Sequence, residues 1–294
     1  MTVLEFEDRV VAWARQQPGL EALVQIGSRV QPGAMVDEWS DWDYQVVLRE
    51  PARYLNRDWP GQIAPCWNAH YERTARGVVK LSAVFAEGRE VDFVLLTAWQ
   101  IKLVCRAMRH PGWSAWFPAA LRAGVHNLRL IARPGHRVII GGAAWERRYA
   151  GLTVDWPQAG FTAGDFDRHV AAFWRHAVWV AKKILRGEVR AAWRWQHVEL
   201  REQLFALLVE EARLAGRSPR PEARQAEHWL DDTRLQQTAL GAGPDQRLLA
   251  RALLAEIALF CEVSDHVADR RHFARPDRTA VEQWLRGELG RLAG

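Results

Sequence analysis

Apolar positions recur at helical spacing over residues 3 to 16, where Val3, Phe6, Val10, Val11 and Ala14 share one side. The chain is therefore expected to open with a helix that Pro18-Gly19 stops. The period then shortens. Residues 22 to 26 read as a strand, a second strand begins around Asp41 and ends before Pro51, and residues 78 to 86 and 90 to 96 read as two more. Glu87-Gly88-Arg89 joins the last two as a short hairpin connection would. From about 97 to 135 the pattern is helical and loop-like, broken at His110-Pro111-Gly112 and Arg133-Pro134-Gly135. An irregular stretch from 141 to 160 marks the expected domain junction. Beyond 162 the pattern is helical throughout: 165 to 186, 190 to 215, 221 to 240, 245 to 270 and 277 to 292. The expected fold class is α+β, with a mixed sheet and helices in a domain over 1–158 and an all-helical bundle over 159–294.

Composition narrows the classes. With 49% hydrophobic and 26% charged residues in 294, the chain can bury two ordinary cores and is neither disordered nor fibrous. The net charge of +5 would suit an anionic partner, yet 36 of the 40 basic residues are arginine, a bias that leaves nucleic acid an unexpected partner. Cys66, Cys105 and Cys261 are odd in number and lack zinc or disulfide spacing, which fits a reducing cytoplasm. The acidic start and the absence of an 18-residue apolar run point to a cytoplasmic protein with no membrane partner; a monomer or homodimer is expected, with nothing in the sequence choosing between them.

One stretch carries chemistry. Residues 26 to 43 read IGSRVQPGAMVDEWSDWD. On a strand Asp41 and Asp43 would face one way and Trp42 the other, so two carboxylates could converge on one divalent cation. Gly27 allows close backbone approach, Ser28 offers a hydroxyl and Arg29 a planar fork suited to phosphate. Each part alone is more often a turn or a strand end. A third carboxylate, Asp92, sits inside Val91-Asp92-Phe93-Val94-Leu95-Leu96, where a lone acid calls for a cation or another partner.

In this combination Gly27-Ser28, Asp41-Trp42-Asp43 and Val91-Asp92-Phe93 resemble the signature of the DNA polymerase β-like nucleotidyltransferase superfamily. More narrowly, IGSRVQPGAMVDEWSDWDYQVV is similar to the corresponding segment of the aminoglycoside (streptomycin) 6-adenylyltransferase family. FWRHAVWVAKKILRGEVRAA, residues 173 to 192, is similar to that family's FW…VxKxLxRxEIxxA helix, and Arg201 with Leu204 fits the start of its next helix. The resemblance implies a polymerase β-like first domain and a helical second domain that closes on nucleotide and substrate. It implies magnesium-dependent transfer of AMP from ATP, the co-substrate, to a hydroxyl of an aminoglycoside, with release of pyrophosphate and resistance to the antibiotic. Carried over, Asp41, Asp43 and Asp92 become the catalytic carboxylates and metal ligands, and Gly27, Ser28 and Arg29 hold the nucleotide phosphates. Asp92 either completes the metal shell or accepts the proton of the attacking hydroxyl.

On a helix through 173 to 186, Arg175, Lys182 and Arg186 fall within about 40° of one another at the edge of an apolar face. Lys182 stands at the lysine of the family's VxK pattern and is assigned to ATP phosphate; the other two read as side chains snorkelling at a core edge. The sixteen tryptophans, Trp193 and Trp195 among them, could stack on a base or sugar, but most read as core or domain-interface residues; His266 and His272 read as helix surface, and Asp231-Asp232 as a face for a cationic substrate, a helix cap or a solvated face. In the resembling family an acid, suited to a polycationic acceptor, stands in the segment corresponding to Ala191-Ala192-Trp193-Arg194; here Arg194 puts a cation there, so the acceptor stays open. Two alternatives stand beside the aminoglycoside: the same chemistry on another small-molecule, protein or RNA hydroxyl, and an idle nucleotide- or nucleic-acid-binding scaffold.

Overall fold

The computed structural model describes residues 2–34, 36–56, 58–73, 78–108, 118–153, 160–220, 223–239 and 241–294. The break expected at His110-Pro111-Gly112, the Asp155-Trp156-Pro157 part of the junction and Pro221 lie outside the described residues. The chain divides into two compact units, Met1–Pro157 and Gln158–Gly294. The class is α+β: a sheet with helices, then helices alone.

In the first unit α1 (Val3–Gln16) is opened by a capping box, Thr2 and Glu5 each satisfying the other's backbone N–H. Then come β1 (Leu20–Ile26), β2 (Trp42–Leu48), β3 (Cys66–Arg73), β4 (Val79–Phe85), β5 (Arg89–Thr97), α2 (Ala98–Ala107), α3 (Ala119–Ala132), β6 (Arg137–Ile140) and α4 (Gly142–Thr153). The strands form one mixed sheet in the order β3-β4-β5-β2-β1-β6. Only β2 and β5 run parallel; the other neighbours are antiparallel.

Alternation along the strands divides two layers. Trp42, Tyr44, Val46, Phe93 and Leu81 face one side, where Phe6, Val10 and Trp13 of α1 and the turn residues Tyr54 and Trp59 cover them. Ala22, Val24, Ile26 and Val47 face the other, under Ile101, Val125, Trp145 and Tyr149 of α2, α3 and α4. Tyr149 ties α4 to the sheet by donating its hydroxyl to Gln45 Oε1 at 2.6 Å in the interior.

Two strands and one helix depart from the sequence expectation. β3 is an edge strand with mostly exposed side chains, and β6 has four residues, so neither carries a strong apolar period. The stretch expected to be irregular contains α4, whose Trp145, Tyr149 and Leu152 make a seam at i, i+4, i+7 buried against the sheet.

In the second unit the order is α5 (Ala163–Leu185), α6 (Val189–Trp195), a π turn (Gln196–Leu200), α7 (Arg201–Leu214), α8 (Ala226–Trp229), α9 (Asp232–Thr238), α10 (Gln246–Arg271) and α11 (Thr279–Ala293). Its core gathers α5, α7, α10 and α11, with the Phe173 and Phe260 rings stacked 3.6 Å apart. The helix expected over 190 to 215 is interrupted by the π turn, where Gln196 is buried and donates from Nε2 to Glu256 Oε2 of α10 at 3.1 Å. The helix expected over 221 to 240 breaks at Leu230, and Asp231 caps the next one by accepting from the Arg234 N–H. No described helix is long and apolar enough to cross a membrane, and all three cysteines are free thiols.

Candidate functional site

β1 ends at Ile26 and the chain turns at Gly27, whose φ of 77° and ψ of −161° fall in a region that essentially only glycine occupies. The reason is Asp43. A Cβ at Gly27 would lie 2.1 Å from Asp43 Oδ2 and 2.9 Å from its Cγ, so the carboxylate fills the space a side chain would need. The next residue, Ser28, has its Oγ buried without a hydrogen-bond partner, a cost that a ligand oxygen would relieve. Behind this turn Gly135 presses on the main chain: a Cβ there would stand 2.2 Å from the Val30 carbonyl oxygen.

Arg29 lies 3.7 Å over the Trp42 ring and donates from Nε to the Asp41 carbonyl at 3.0 Å and from Nη2 to the carbonyls of Ser40 and Asp37. Burial lowers its pKa, against the charges of Glu7, Tyr44, Asp41 and Asp37. The fork expected to take phosphate instead grips the returning loop. Asp37 and Ser40 close that loop on themselves: Ser40 Oγ donates to Asp37 Oδ1 and accepts from the Asp37 N–H.

β2 begins at Trp42 and Asp41 precedes it, its carbonyl accepting from Arg29. Alternation within a strand therefore does not set the direction of Asp41. Asp43 is inside the strand, opposite Ile26 of β1 on one side and Asp92 of β5 on the other. Parallel neighbours in register show the same face, so the two carboxylates stand side by side, about 5 Å apart at the backbone.

The partners that Asp92 was expected to need come from the neighbouring strand. Lys80 Nζ donates to Asp92 Oδ2 at 2.8 Å and Ser82 Oγ donates to Asp92 Oδ1 at 2.5 Å. Lys80 also pairs with Glu72 Oε1 at 2.6 Å. Burial disfavours the ammonium, but these two acids outweigh it and raise the lysine pKa. Through the antiparallel pairings Asp92↔Ser82 and Ser82↔His70, a polar row runs Asp43, Asp92, Ser82, His70 across four strands. On the opposite face of β4 and β5, Leu81, Ala83, Phe85, Val91, Phe93 and Leu95 are buried, whereas on this one Lys80, Ser82, Asp92 and Val94 are half-buried.

Among the described residues no three His, Cys, Asp or Glu side chains make a metal-holding group. The carboxylates that are present still fit a hard divalent cation, since magnesium usually takes one or two of them and completes its shell with water and substrate phosphate. The Gly27 cradle against Asp43 and the orphaned Ser28 hydroxyl are what such a ligand would meet.

No protein-family model and no curated protein matches this sequence. Among solved structures it is similar to an aminoglycoside 6-adenyltransferase from Bacillus subtilis, over 98% of this chain and 99% of that one, at 12% identity and a TM-score of 0.44. It is also similar to a nucleotidyltransferase-like protein from Exiguobacterium sibiricum, over 98% of this chain and 89% of that one, at 15% identity and a TM-score of 0.36.

On α5 the three basic residues of the expected ridge differ. Arg175 engages His176 Nε2 and Arg186 pairs with Glu188 at 2.8 Å, whereas Lys182 is exposed and has no ion pair among the described residues. Trp193 donates to the Ala242 carbonyl, Trp195 packs 4.1 Å from Trp179, and Arg194 is exposed. Sequence reasoning passed over Lys80 and Ser82. The signal was available: a hairpin turning at Glu87 pairs residues at equal distances from it, which sets Ser82 opposite Asp92.

Proposed function

We propose that the chain is a magnesium-dependent nucleotidyltransferase that moves AMP from ATP to a hydroxyl of an aminoglycoside such as streptomycin, releasing pyrophosphate and conferring resistance. The observation that carries this reading is the pairing of Asp43 with Asp92 in register, with the Gly27 main chain against Asp43. Two carboxylates held side by side beside a glycine turn suit the juncture of metal, phosphate and attacking oxygen.

In this reading Asp41 and Asp43 hold Mg2+, which supplies neutralisation of the phosphate charge. Gly27 and Ser28 offer main-chain approach and a free hydroxyl to the phosphates. Arg29 acts one step back, holding the Asp37–Asp41 loop and thereby Asp41. The Asp92 carboxylate accepts the proton of the acceptor hydroxyl as its oxygen bonds to the α-phosphorus and pyrophosphate departs with the electrons of the broken P–O bond. Residues 1–158 are then the nucleotidyltransferase domain and residues 159–294 the helical domain that closes on the substrates. Four acids between Asp37 and Asp43, namely Asp37, Glu38, Asp41 and Asp43, suit a cationic acceptor.

The test is pyrophosphate release by purified protein with ATP, Mg2+ and a panel of labelled acceptors. Release with streptomycin is expected. Release with another hydroxyl compound alone would assign the alternative acceptor, and release with none would leave an idle scaffold. Lys182, an exposed lysine of α5 with no ion pair among the described residues, is assigned to a nucleotide phosphate. Lys182→Ala is expected to raise the KM for ATP about tenfold, the weight of one charge-assisted contact, with the melting temperature unchanged. An unaltered KM and kcat would remove it from the site.

A further inference from the structure

β4 presents two donors to one carboxylate, and they reach different oxygens: Lys80 takes Asp92 Oδ2 and Ser82 takes Asp92 Oδ1. A single donor lets a carboxylate swing about χ2, whereas two donors on separate oxygens fix its plane. Lys80 is in turn held by Glu72 of β3, so the ammonium is anchored from both neighbouring strands. A divalent cation bound to Asp92 would share that carboxylate with an ammonium 2.8 Å from one of its oxygens, and like charges so placed repel. Asp43, the next carboxylate in the row, stands one strand further from Lys80.

From this arrangement, and resting on the transfer reading of the same site, we infer that Lys80 with Ser82 is a positioning pair that clamps both oxygens of Asp92 and keeps the divalent cation off it. The metal is left to Asp41 and Asp43, and Asp92 keeps one orientation toward the acceptor hydroxyl. Nothing in the chain's local pattern marks Lys80 for this, since Lys102 and Lys183 also form ion pairs and have no such place in the sheet.

Manganese titration of the purified protein without nucleotide, followed by calorimetry or spin resonance, tests the inference independently of turnover. Asp92→Asn is expected to leave Mn2+ affinity unchanged, while Asp43→Asn abolishes binding. Lys80→Met is expected to tighten Mn2+ about tenfold, the scale on which partners of ligand carboxylates act. It should also lower kcat about a hundredfold with the KM for ATP unchanged, as expected for a misplaced group. Ser82→Ala removes one donor without the charge, so it should lower kcat and leave Mn2+ affinity alone; Lys80→Arg should keep wild-type Mn2+ affinity and recover part of the kcat. Loss of Mn2+ in Asp92→Asn comparable to that in Asp43→Asn would overturn the inference. So would an unchanged Mn2+ affinity and kcat in Lys80→Met, a rise in the KM for ATP with kcat intact, or a wild type that binds no Mn2+. A wild type that binds Mn2+ but turns over no acceptor would remove the transfer reading and leave the Mn2+ comparison to decide the place of Lys80.

Discussion

Alanine at position 27 is expected to reduce adenylyl transfer by at least about a hundredfold, the scale set by a displacement of roughly 1 Å at a reacting centre. The substitution meets two obstacles at once. The backbone conformation at φ 77° and ψ −161° costs a residue with a Cβ about 1–3 kcal/mol. The new Cβ would also fall 2.1 Å from Asp43 Oδ2, so either the turn or the carboxylate must move. The displaced group is the one assigned to the metal. Asp43→Asn keeps the volume and removes the charge, so it is expected to abolish turnover with the melting temperature nearly unchanged. Gly27→Ala should show both defects, lost turnover and a melting temperature lower by several degrees. Kinetics and calorimetry on the two variants separate the causes: wild-type turnover in Gly27→Ala would mean that Asp43 does not need its place against the main chain.

The stability of the helical unit is expected to fall as pH rises from about 4.5 toward about 7. Glu256 of α10 is wholly buried, and burial pushes its carboxyl up to about 7, against the hydrogen bond from Gln196 and the charge of Arg201 on α7. Two oxygens here lack partners, Glu256 Oε1 and Gln196 Oε1. With Gln196 Nε2 already donating to Glu256 Oε2, a protonated Glu256 would use its O–H on Gln196 Oε1 and close a two-bond acid–amide ring. The folded state thus holds a proton that the unfolded chain releases near pH 4.5. The stabilisation is complete below that pH and lost as pH climbs through the folded value. The loss is on the order of 3 kcal/mol. Glu256→Gln replaces the acid by an amide that can make the same two bonds at every pH. Urea unfolding between pH 4 and 8 should show the downward slope in the wild type and a flat line in the variant; a slope that survives the substitution would place its origin in another group.

Much of the fold was legible because period and punctuation are local. The helix over residues 3 to 16, the hairpin turning near Glu87 and the uniform helicity beyond 162 follow from spacing and breakers alone. β3 was not, because an edge strand is exposed on most of its positions and has no apolar period to read. β6 was too short, and α4 was hidden by Gly141-Gly142, although Trp145, Tyr149 and Leu152 carried its seam.

For the candidate site the division is sharper. The sequence by itself determined the residue types: a glycine turn after a strand, a hydroxyl beside it, two aspartates two apart, and a third acid in an apolar run. Tertiary structure alone decided which of them meet. Asp43 and Asp92 become neighbours because β2 and β5 lie parallel and in register, a pairing between distant segments that no local pattern encodes. It turned Arg29 from a free fork into the clasp of a loop, since carbonyls at 37, 40 and 41 come within its reach only when that loop folds back. It also supplied Lys80 to Asp92 from the adjacent strand, because a half-buried acid takes the nearest cation that the register brings to it.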